Sequence, residues 1–513
     1  MLRAGRNLWR LLQIGRCLAR HNALAPLELL PLPDPVFRFA RAVSNQDAPG
    51  RPGQRLAAAL SELGPSFIKL GQSLATRADL LGERVAADLS QLQDQLPPFP
   101  SERARRTVEL ELGAPLETLF VAFEEVPVAA ASIAQVHFAV TTEGEEVAVK
   151  VLRPGIERAF ERDIDLFRFI AAWAERLQPS LRRLRPVAVV ETFARVTRSE
   201  MDFRLEAAAA SELADNFRGD PHFRVPRVDW QRTARRCLTL ERVSGITSDE
   251  REELVAAGFD PDEILQMAAE IFFKQVFRDG FFHADMHPGN MFIDAEGRLV
   301  PVDFGIMGRL DRPTRRFLGE MLLGFLTADY ERVADVHFSA GYVPADQDKA
   351  AFMQACRAVG EPIRDRPLAE ISLGRLLGQL FEMTETFAME TQPQLLLLQK
   401  TMVVAEGVGR ALNPAVNMWQ LAQPLVEQWI AENLGPEARI RSAVEEGLGA
   451  ARRLPQLIER AERMLEAVAE GRAPQDAYRN PGPHGYRSGQ GGPFLPWAIC
   501  CVLGGLLLGL LLV

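Results

Sequence analysis

Three polar side chains near the middle of the chain have the types and spacing that phosphoryl transfer needs. Asp285 is followed five residues later by Asn290, and Asp303 begins an Asp-Phe-Gly sequence. Two apolar runs, 291–293 and 299–302, flank a turn sequence and predict a β-hairpin that would bring the three side chains to one end. Magnesium prefers oxygen ligands. Asn290 and Asp303 are therefore the predicted metal ligands, and Asp285 is the predicted catalytic residue facing a γ-phosphate.

This order of residues is that of a protein-kinase active site, so a phosphate-binding lysine and its glutamate should precede it. The strand-like sequence Val-Ala-Val-Lys ends at Lys150, and Glu206 lies in a predicted helix over 187–217. We expect the two to form the ion pair that orients the lysine. His283 is expected to brace the catalytic loop.

A loop of small residues between two predicted strands has the position of a nucleotide loop. It consists of Ala129, Ala130, Ala131 and Ser132. Alanine does not reach positive φ as readily as glycine, so we expect a stiffer loop than that of ordinary kinases. Glu241 lies in a later strand that predicts the hinge between two lobes, where the backbone would contact adenine. The predicted cofactors are ATP and Mg²⁺.

Two further pairs of polar residues have no function in an ordinary kinase and are assigned a regulatory role. Lys69 and Gln72 lie three residues apart in a predicted helical region, 55–115, and share a helix face. Glu200 and Asp202 are carboxylates just before Glu206, and Lys69 is a candidate partner for them.

The region after the Asp-Phe-Gly sequence lacks a long activation segment. Helix is predicted again from about Pro313. A groove for a peptide substrate is therefore not expected.

Composition narrows the class of protein. A net charge of −9 argues against nucleic acid as a partner. The cysteines are odd in number and lack CxxC spacing, which predicts neither a disulfide framework nor a zinc site. They are Cys17, Cys237, Cys356, Cys500 and Cys501. The sequence His283-x-Asp285-x-His287 leaves one metal-site alternative open, because alternate residues of a strand would point to the same side.

Both ends of the chain contain sequences typical of membrane association. Residues 2–20 combine arginines on one helical stripe with leucines and an isoleucine on the other, which predicts a basic amphipathic helix on an anionic membrane. A mitochondrial transit peptide and a plain surface helix are the alternatives. Residues 494–513 contain no charged side chain and predict a transmembrane tail anchor after a Gly/Pro-rich linker, 471–493.

Taken together, the motifs resemble those of the UbiB family of protein-kinase-like ATPases linked to ubiquinone biosynthesis. The resemblance covers about residues 55–415 and the carboxy-terminal span. The residues that carry it are Lys69-Leu70-Gly71-Gln72, Ala129 to Ser132 with Gln135-Val136-His137, Lys150 to Gly155, Glu200-Met201-Asp202 with Glu206, His283 to Asn290, and Asp303-Phe304-Gly305.

The resemblance implies an α+β, protein-kinase-like two-lobed fold with a helical N-terminal extension, extra C-terminal helices and a single C-terminal transmembrane helix. In that fold the Lys69/Gln72 extension packs over the active-site cleft, and we expect Glu200 and Asp202 to hold it there. The predicted segments are 1–44 (membrane-associating), 55–115 (extension), 116–245 (N-lobe), 246–415 (C-lobe), 416–470 (helices), 471–493 (linker) and 494–513 (span).

The resemblance further implies ATP hydrolysis rather than ready protein phosphorylation, and a role in making or mobilising lipid quinone precursors. The implied partners are membrane lipids, quinone precursors and other ubiquinone biosynthesis proteins. The expected location is a bacterial inner membrane with the catalytic domain in the cytoplasm, and the mitochondrial inner membrane is the alternative. Two other functions stay open, namely a small-molecule phosphotransferase and a nucleotide-binding scaffold of a biosynthetic complex.

Overall fold

The structure, a computed structural model, describes two compact units. The described residues are 2–23, 44–45, 48–75, 83–90, 92, 97–177, 186–362, 383, 386–389, 393–413, 424–425, 427–429 and 431–432. Of these, residues up to 310 and residues 383–413 belong to the first unit, and residues 311–362 and 424–432 belong to the second.

An antiparallel sheet of five strands lies in the part of the first unit that the sequence predicts to be the N-lobe. The strands are β1 Phe120–Phe123, β2 Ala129–Ala130, β3 Ala134–Thr141, β4 Glu146–Leu152 and β5 Cys237–Glu241. Their order is β1-β3-β4-β5, and the short β2 pairs with the start of β3. Val147, Val149 and Val151 of β4 face a buried apolar core. Because side chains alternate along a strand, Lys150 points to the opposite face.

Helices precede this sheet, as the sequence predicts. They are α1 Leu2–Arg20, α2 Pro52–Leu63, α3 Pro65–Ala75, α4 Glu83–Ser90, α5 Ser101–Leu112 and α6 Leu116–Leu119. The apolar residues Leu11, Ile14 and Leu18 of α1 are buried, and α1 packs on α2. Those side chains are therefore covered by protein, and the predicted membrane contact of this helix would rest on exposed groups such as Arg16.

The predicted helix over 187–217 is two helices. After α7 Ile156–Leu177 come α8 Pro186–Glu200 and α9 Phe203–Asn216. Asp202 is the N-cap of α9, with extended backbone angles and a side chain that accepts a hydrogen bond from the Arg204 N–H. The single helix predicted over 187–217 is therefore interrupted at Asp202, because an N-cap residue lies outside the regular turns of the helix that follows it.

A second region of the first unit contains the predicted hairpin. Strands β8 Met291–Ile293 and β9 Leu299–Pro301 pair antiparallel, and β6 Ile246–Thr247 joins them on the other side of β8. Before them, α10 Arg251–Ala256 and α11 Pro261–Phe273 lead through a π-helical turn, Lys274–Asp279, into β7 Phe281–His283. β7 pairs antiparallel with β10 Met307–Arg309. The two ends of the candidate-site sequence, 283–305, are therefore joined by strand pairing.

The second unit is helical where it is described. Its helices are α12 Arg312–Leu326, α13 Tyr330–Ser339 and α14 Lys349–Gly360, and α15 Pro393–Leu412 returns to the first unit. Helix α12 begins close to the predicted position. No helix among the described residues is both long and apolar enough to cross a membrane. The predicted span, 494–513, and the predicted linker, 471–493, lie outside those residues.

Candidate active site

Lys150 lies between two carboxylates. Its Nζ is 2.7 Å from Glu206 Oε1 and 3.2 Å from Asp303 Oδ1. The predicted ion pair with Glu206 is thus present, and the same ammonium also contacts the predicted metal ligand. The ring of Phe203, the first residue of α9, lies 5.4 Å from Nζ and adds a cation–π contact.

Two backbone N–H groups donate hydrogen bonds to the carboxylates. The Phe304 N–H donates to Glu206 Oε1 at 3.4 Å, and the Gly305 N–H donates to Asp303 Oδ1 at 3.0 Å. The backbone of the Asp-Phe-Gly sequence therefore contacts the same side chains as Lys150. This arrangement couples helix α9 to the segment that follows the hairpin.

The charges of the three groups are strongly interdependent. Enclosure in the site opposes the positive charge on Lys150, but Asp303 and Glu206 outweigh it and hold the pKa of Lys150 above its usual value. Enclosure also opposes ionisation of Asp303, but the Lys150 ammonium outweighs it and keeps that pKa well below the usual range. Burial raises the pKa of Glu206 to about 7, although Lys150 acts in the opposite direction. Lys150 and Asp303 are therefore the firmly charged members.

His283 connects the catalytic loop to the metal-ligand loop. Its Nε2–H donates a short hydrogen bond to the Asp303 carbonyl, and its Nδ1 accepts from the Asp285 N–H at 3.2 Å. The Gln275 side chain, in the π-helical turn, accepts from the His283 N–H at 2.9 Å. His283 thus contacts both loops, and its predicted role of bracing the catalytic loop stays a prediction. Gln275 was not predicted, and no local pattern in the sequence marks it.

The hydrogen bonds of the His283 ring exclude the alternative metal site formed by His283, Asp285 and His287. Both ring nitrogens of His283 are engaged by the protein itself, and β7 ends at His283, so His283, Asp285 and His287 do not alternate along one strand. The ring of His287 caps the next turn by accepting from the Gly289 N–H at 3.2 Å.

Asn290 and Asp303 each have a side-chain oxygen that could bind a cation. Asn290 Nδ2 donates to the Asp285 carbonyl at 3.2 Å, which leaves the amide oxygen as the atom that could bind a cation. Lys150 and Gly305 both contact Oδ1 of Asp303, so Oδ2 is the second candidate ligand. A carboxylate and an amide oxygen are ligands that suit Mg²⁺.

The alanine-rich loop lies across one strand from Lys150. Val136 of β3 pairs with Ala129 on one side and with Lys150 on the other. Ala129 and Ala130 form strand β2 rather than loop, and Ala131 closes the turn by donating its N–H to the Ala134 carbonyl at 2.7 Å. Ser132 is buried, and its Oγ has no hydrogen-bond partner among the described residues.

Glu241 has a structural contact that the sequence did not indicate. Its Oε1 accepts from Arg224 Nη1 at 2.7 Å, and its backbone N–H donates to the Arg227 carbonyl at 2.8 Å. An adenine contact at this position would therefore use the Glu241 carbonyl and not its side chain.

Lys69 pairs with Glu200 and not with Asp202. The Lys69 Nζ to Glu200 Oε2 distance is 2.9 Å, and the side chains are only 14% and 18% exposed. Asp202 instead pairs with Arg204, whose hydrogen bonds hold the pKa of Asp202 below its usual value. The part of the prediction that placed Asp202 against Lys69 is wrong, since its carboxylate caps α9. Gln72 donates to the Leu92 carbonyl at 3.4 Å.

Comparison with known proteins identifies the family of this chain. Residues 91–337 match the ABC1 atypical kinase-like domain, and residues 356–417 match the UbiB helical domain. A Marinobacter nauticus protein named "Probable protein kinase UbiB" is 44% identical over 432 residues, which are 83% of this chain and 79% of that protein. The Mycobacterium tuberculosis protein Rv3197, solved in complex with erythromycin, is 27% identical with a TM-score of 0.48, over 71% of this chain and 93% of that one. On the two domain matches and the Marinobacter relative, the chain belongs to the UbiB family and carries its atypical kinase-like domain.

Proposed function

We propose that this protein is a magnesium-dependent ATPase that supports ubiquinone biosynthesis at a bacterial inner membrane. The observation that carries the ATPase part is the contact of Lys150 with both Glu206 and Asp303, at 2.7 Å and 3.2 Å. A lysine held by a helical glutamate beside an Asp-Phe-Gly carboxylate is what phosphate binding in kinases requires.

Each residue of the candidate site has a separate proposed role in phosphoryl transfer. Lys150 would contact the α- and β-phosphates, with Glu206 holding the ammonium in position. Asp303 and Asn290 would hold Mg²⁺, which neutralises phosphate charge when it is bound. Asp285 would orient the attacking water or hydroxyl, and His283 keeps the two loops in register through Asp303 and Asp285.

The nucleotide loop supplies a second argument for ATP. A buried hydroxyl without a hydrogen-bond partner costs about 1–3 kcal/mol. Ser132 Oγ is such a group among the described residues, at the turn between β2 and β3. A phosphate oxygen would give it a partner, as would a bound water.

The role in ubiquinone biosynthesis rests on membership of the UbiB family and on the membrane-like sequence of residues 494–513. We infer that lipid quinone precursors, and not peptides, are the molecules on which ATP turnover acts. The short path from Gly305 to α12 supports this, because it contains only β10 and no long segment that could bind a peptide.

The test is ATP hydrolysis by the full-length chain in vesicles containing anionic lipid. We expect phosphate release to rise when a prenylated phenol is added, and to rise less with a phenol that lacks the prenyl tail. Phosphorylation of the phenol itself would instead identify a small-molecule phosphotransferase. Binding of ATP without hydrolysis under every condition would identify a scaffold.

A further inference from the structure

Arg153 holds the turn of the alanine-rich hairpin at two points. Its backbone N–H donates to the Ile133 carbonyl at 2.7 Å, and its Nη2 donates to the Ala131 carbonyl at 3.2 Å. Both acceptors flank Ser132. The residue that fixes this turn therefore comes from the end of β4, three residues after Lys150.

The same guanidinium contacts the Pro97–Phe99 segment, which lies in the helical extension just before α5. Arg153 Nη2 lies 3.2 Å from the Pro97 carbonyl, and its Cζ lies 5.3 Å from the centre of the Phe99 ring. Arginine suits this position because Nη2 of its planar guanidinium donates to both carbonyls while the plane lies over the ring, which an ammonium cannot do as well.

The Pro97–Phe99 segment is itself fastened to the sheet. Gln135 Oε1 accepts from the Phe99 N–H at 2.9 Å, and Gln135 Nε2 donates to the Phe99 carbonyl at 3.2 Å. Gln135 Nε2 also contacts His137 Nε2 at 2.8 Å, and both side chains are fully buried. The Pro97–Phe99 segment therefore contacts both Arg153 and β3, the strand that pairs with the one carrying Lys150.

We propose that Arg153 is the positioning residue of the nucleotide loop, which it links to the Pro97–Phe99 segment of the helical extension. The inference rests on the proposed function, since it assumes that the loop binds ATP. Arg153 does not contact the reacting atoms. It fixes the carbonyl of Ala131, and hence the turn that contains Ser132, so its loss should weaken nucleotide binding and leave the chemical step nearly unchanged.

A matched control, Arg232, lies beside the same sheet in the 3-10 turn Trp230–Arg232. Arg232 also lies over a phenylalanine ring, with its Cζ 5.8 Å from the centre of Phe120, and donates from Nε to a backbone carbonyl, that of Leu119, at 2.9 Å. These contacts are at β1 and not at the loop. Removing Arg232 should therefore reproduce the general loss of stability without the effect on nucleotide binding.

The experiment measures binding of Mg-ATP, hydrolysis and thermal unfolding for the full-length chain and for Arg153→Gln and Arg232→Gln. Losing a charge-assisted hydrogen bond typically corresponds to a factor of about ten in an equilibrium constant. We expect Arg153→Gln to raise Kd and KM by about that factor with kcat within about twofold, and Arg153→Lys to restore part of the affinity. Arg232→Gln should lower Tm alone. An unchanged Kd in Arg153→Gln would overturn the inference.

A second measurement separates this inference from the proposed function. Hydrogen exchange of the Ala131 amide in nucleotide-free protein should be faster in Arg153→Gln than in the wild type and in Arg232→Gln. If the wild type did not bind Mg-ATP, the proposed function would fail while the exchange result still tested Arg153. Equal exchange in all three proteins would contradict the positioning role.

A milder variant guards against misfolding of Arg153→Gln. Phe99→Leu removes the ring beneath the guanidinium and keeps the backbone bonds to Gln135. Because both changes act on one contact, their effects on Kd should be smaller together than the sum of the single effects. Additive effects would show that Phe99 and Arg153 act independently and would overturn the link to the extension.

Discussion

Lys150 and Asp303 are 153 positions apart in the sequence, and their side chains form a direct ion pair with a Nζ to Oδ1 distance of 3.2 Å. Glu206 contacts the same ammonium from the other side. Lys150 therefore supplies a positive charge to the carboxylate that is predicted to bind Mg²⁺. When Mg-ATP binds, we expect Lys150 to exchange Asp303 for phosphate oxygens and to keep Glu206.

Replacing Lys150 should abolish ATP binding and turnover. In Lys150→Met two carboxylates face each other without the ammonium, and an unpaired charge at a buried site typically costs about 3–5 kcal/mol. Lys274 is a matched control because it also bridges two carboxylates, Asp220 and Glu270, at 2.9 Å and 2.7 Å. Lys274→Met should destabilise the protein and leave KM and kcat near the wild-type values. A Lys150→Met protein that still hydrolysed ATP would contradict the assignment.

The Lys69–Glu200 pair should be detectable as a coupling energy. The two side chains are mostly buried and 2.9 Å apart. Lys69→Met and Glu200→Gln should each lower the free energy of unfolding by about 1–3 kcal/mol, and the double variant should lose less than their sum. Denaturant unfolding of all four proteins measures this. Asp202→Asn serves as the contrast, since asparagine also caps helices well and a change of only a few tenths of a kcal/mol is expected.

Ser132→Ala should have effects of opposite sign on stability and on binding. Removing a buried hydroxyl that lacks a partner should raise the free energy of unfolding by about 1 kcal/mol, while the affinity for ATP should fall. Ser66 is the control, because its Oγ is also buried without a partner among the described residues but lies in the extension. Ser66→Ala should raise stability without changing ATP affinity. A simultaneous gain in stability and affinity for Ser132→Ala would argue against a nucleotide contact.

Burial lowers the pKa of His137, which makes stability depend on pH. His137 Nδ1 donates to the Glu124 carbonyl at 2.8 Å, and Nε2 accepts from Gln135, so the neutral ring fits the site. Below about pH 6.5, His137 binds a proton more readily in the unfolded chain than in the folded one. The free energy of unfolding should therefore decrease as the pH falls below about 6.5, and the contribution of His137 should be constant above that pH. In thermal unfolding, the Tm of His137→Gln should decrease less with falling pH than the Tm of the wild type. Part of the fall should remain, because His337 is also buried with a lowered pKa.

The parts of the site that follow local sequence rules were predictable. The hairpin between Asn290 and Asp303, the strand that ends near Lys150 and the Lys150–Glu206 pair all follow from strand alternation and motif order. The break before α9 was missed because the residues flanking Asp202 continue a helical pattern, and only the cap geometry shows where the chain turns. Asp202 was therefore given the wrong partner.

Contacts between distant segments were beyond sequence reasoning. Gln275 holds His283 from a π-helical turn, and Arg153 reaches Pro97 across 56 positions. Nothing in the spacing of these residues indicates their partners, because such pairs are set by how whole elements pack. The family motifs marked Arg153 and Gln135 as notable but did not show that both contact one segment.

The measurement that tests the central claim most directly is Mg²⁺-dependent phosphate release from ATP by the full-length chain, beside Asp303→Asn. The substitution keeps the size of the side chain and an oxygen for the Gly305 N–H, but removes the charge that pairs with Lys150 and that we assign to metal binding. We expect release by the wild type to require Mg²⁺, and Asp303→Asn to retain the wild-type unfolding profile within a few degrees while losing at least about a thousandfold in rate, equivalent to about 4 kcal/mol of barrier. Hydrolysis by Asp303→Asn at the wild-type rate, or hydrolysis that does not need Mg²⁺, would contradict the account.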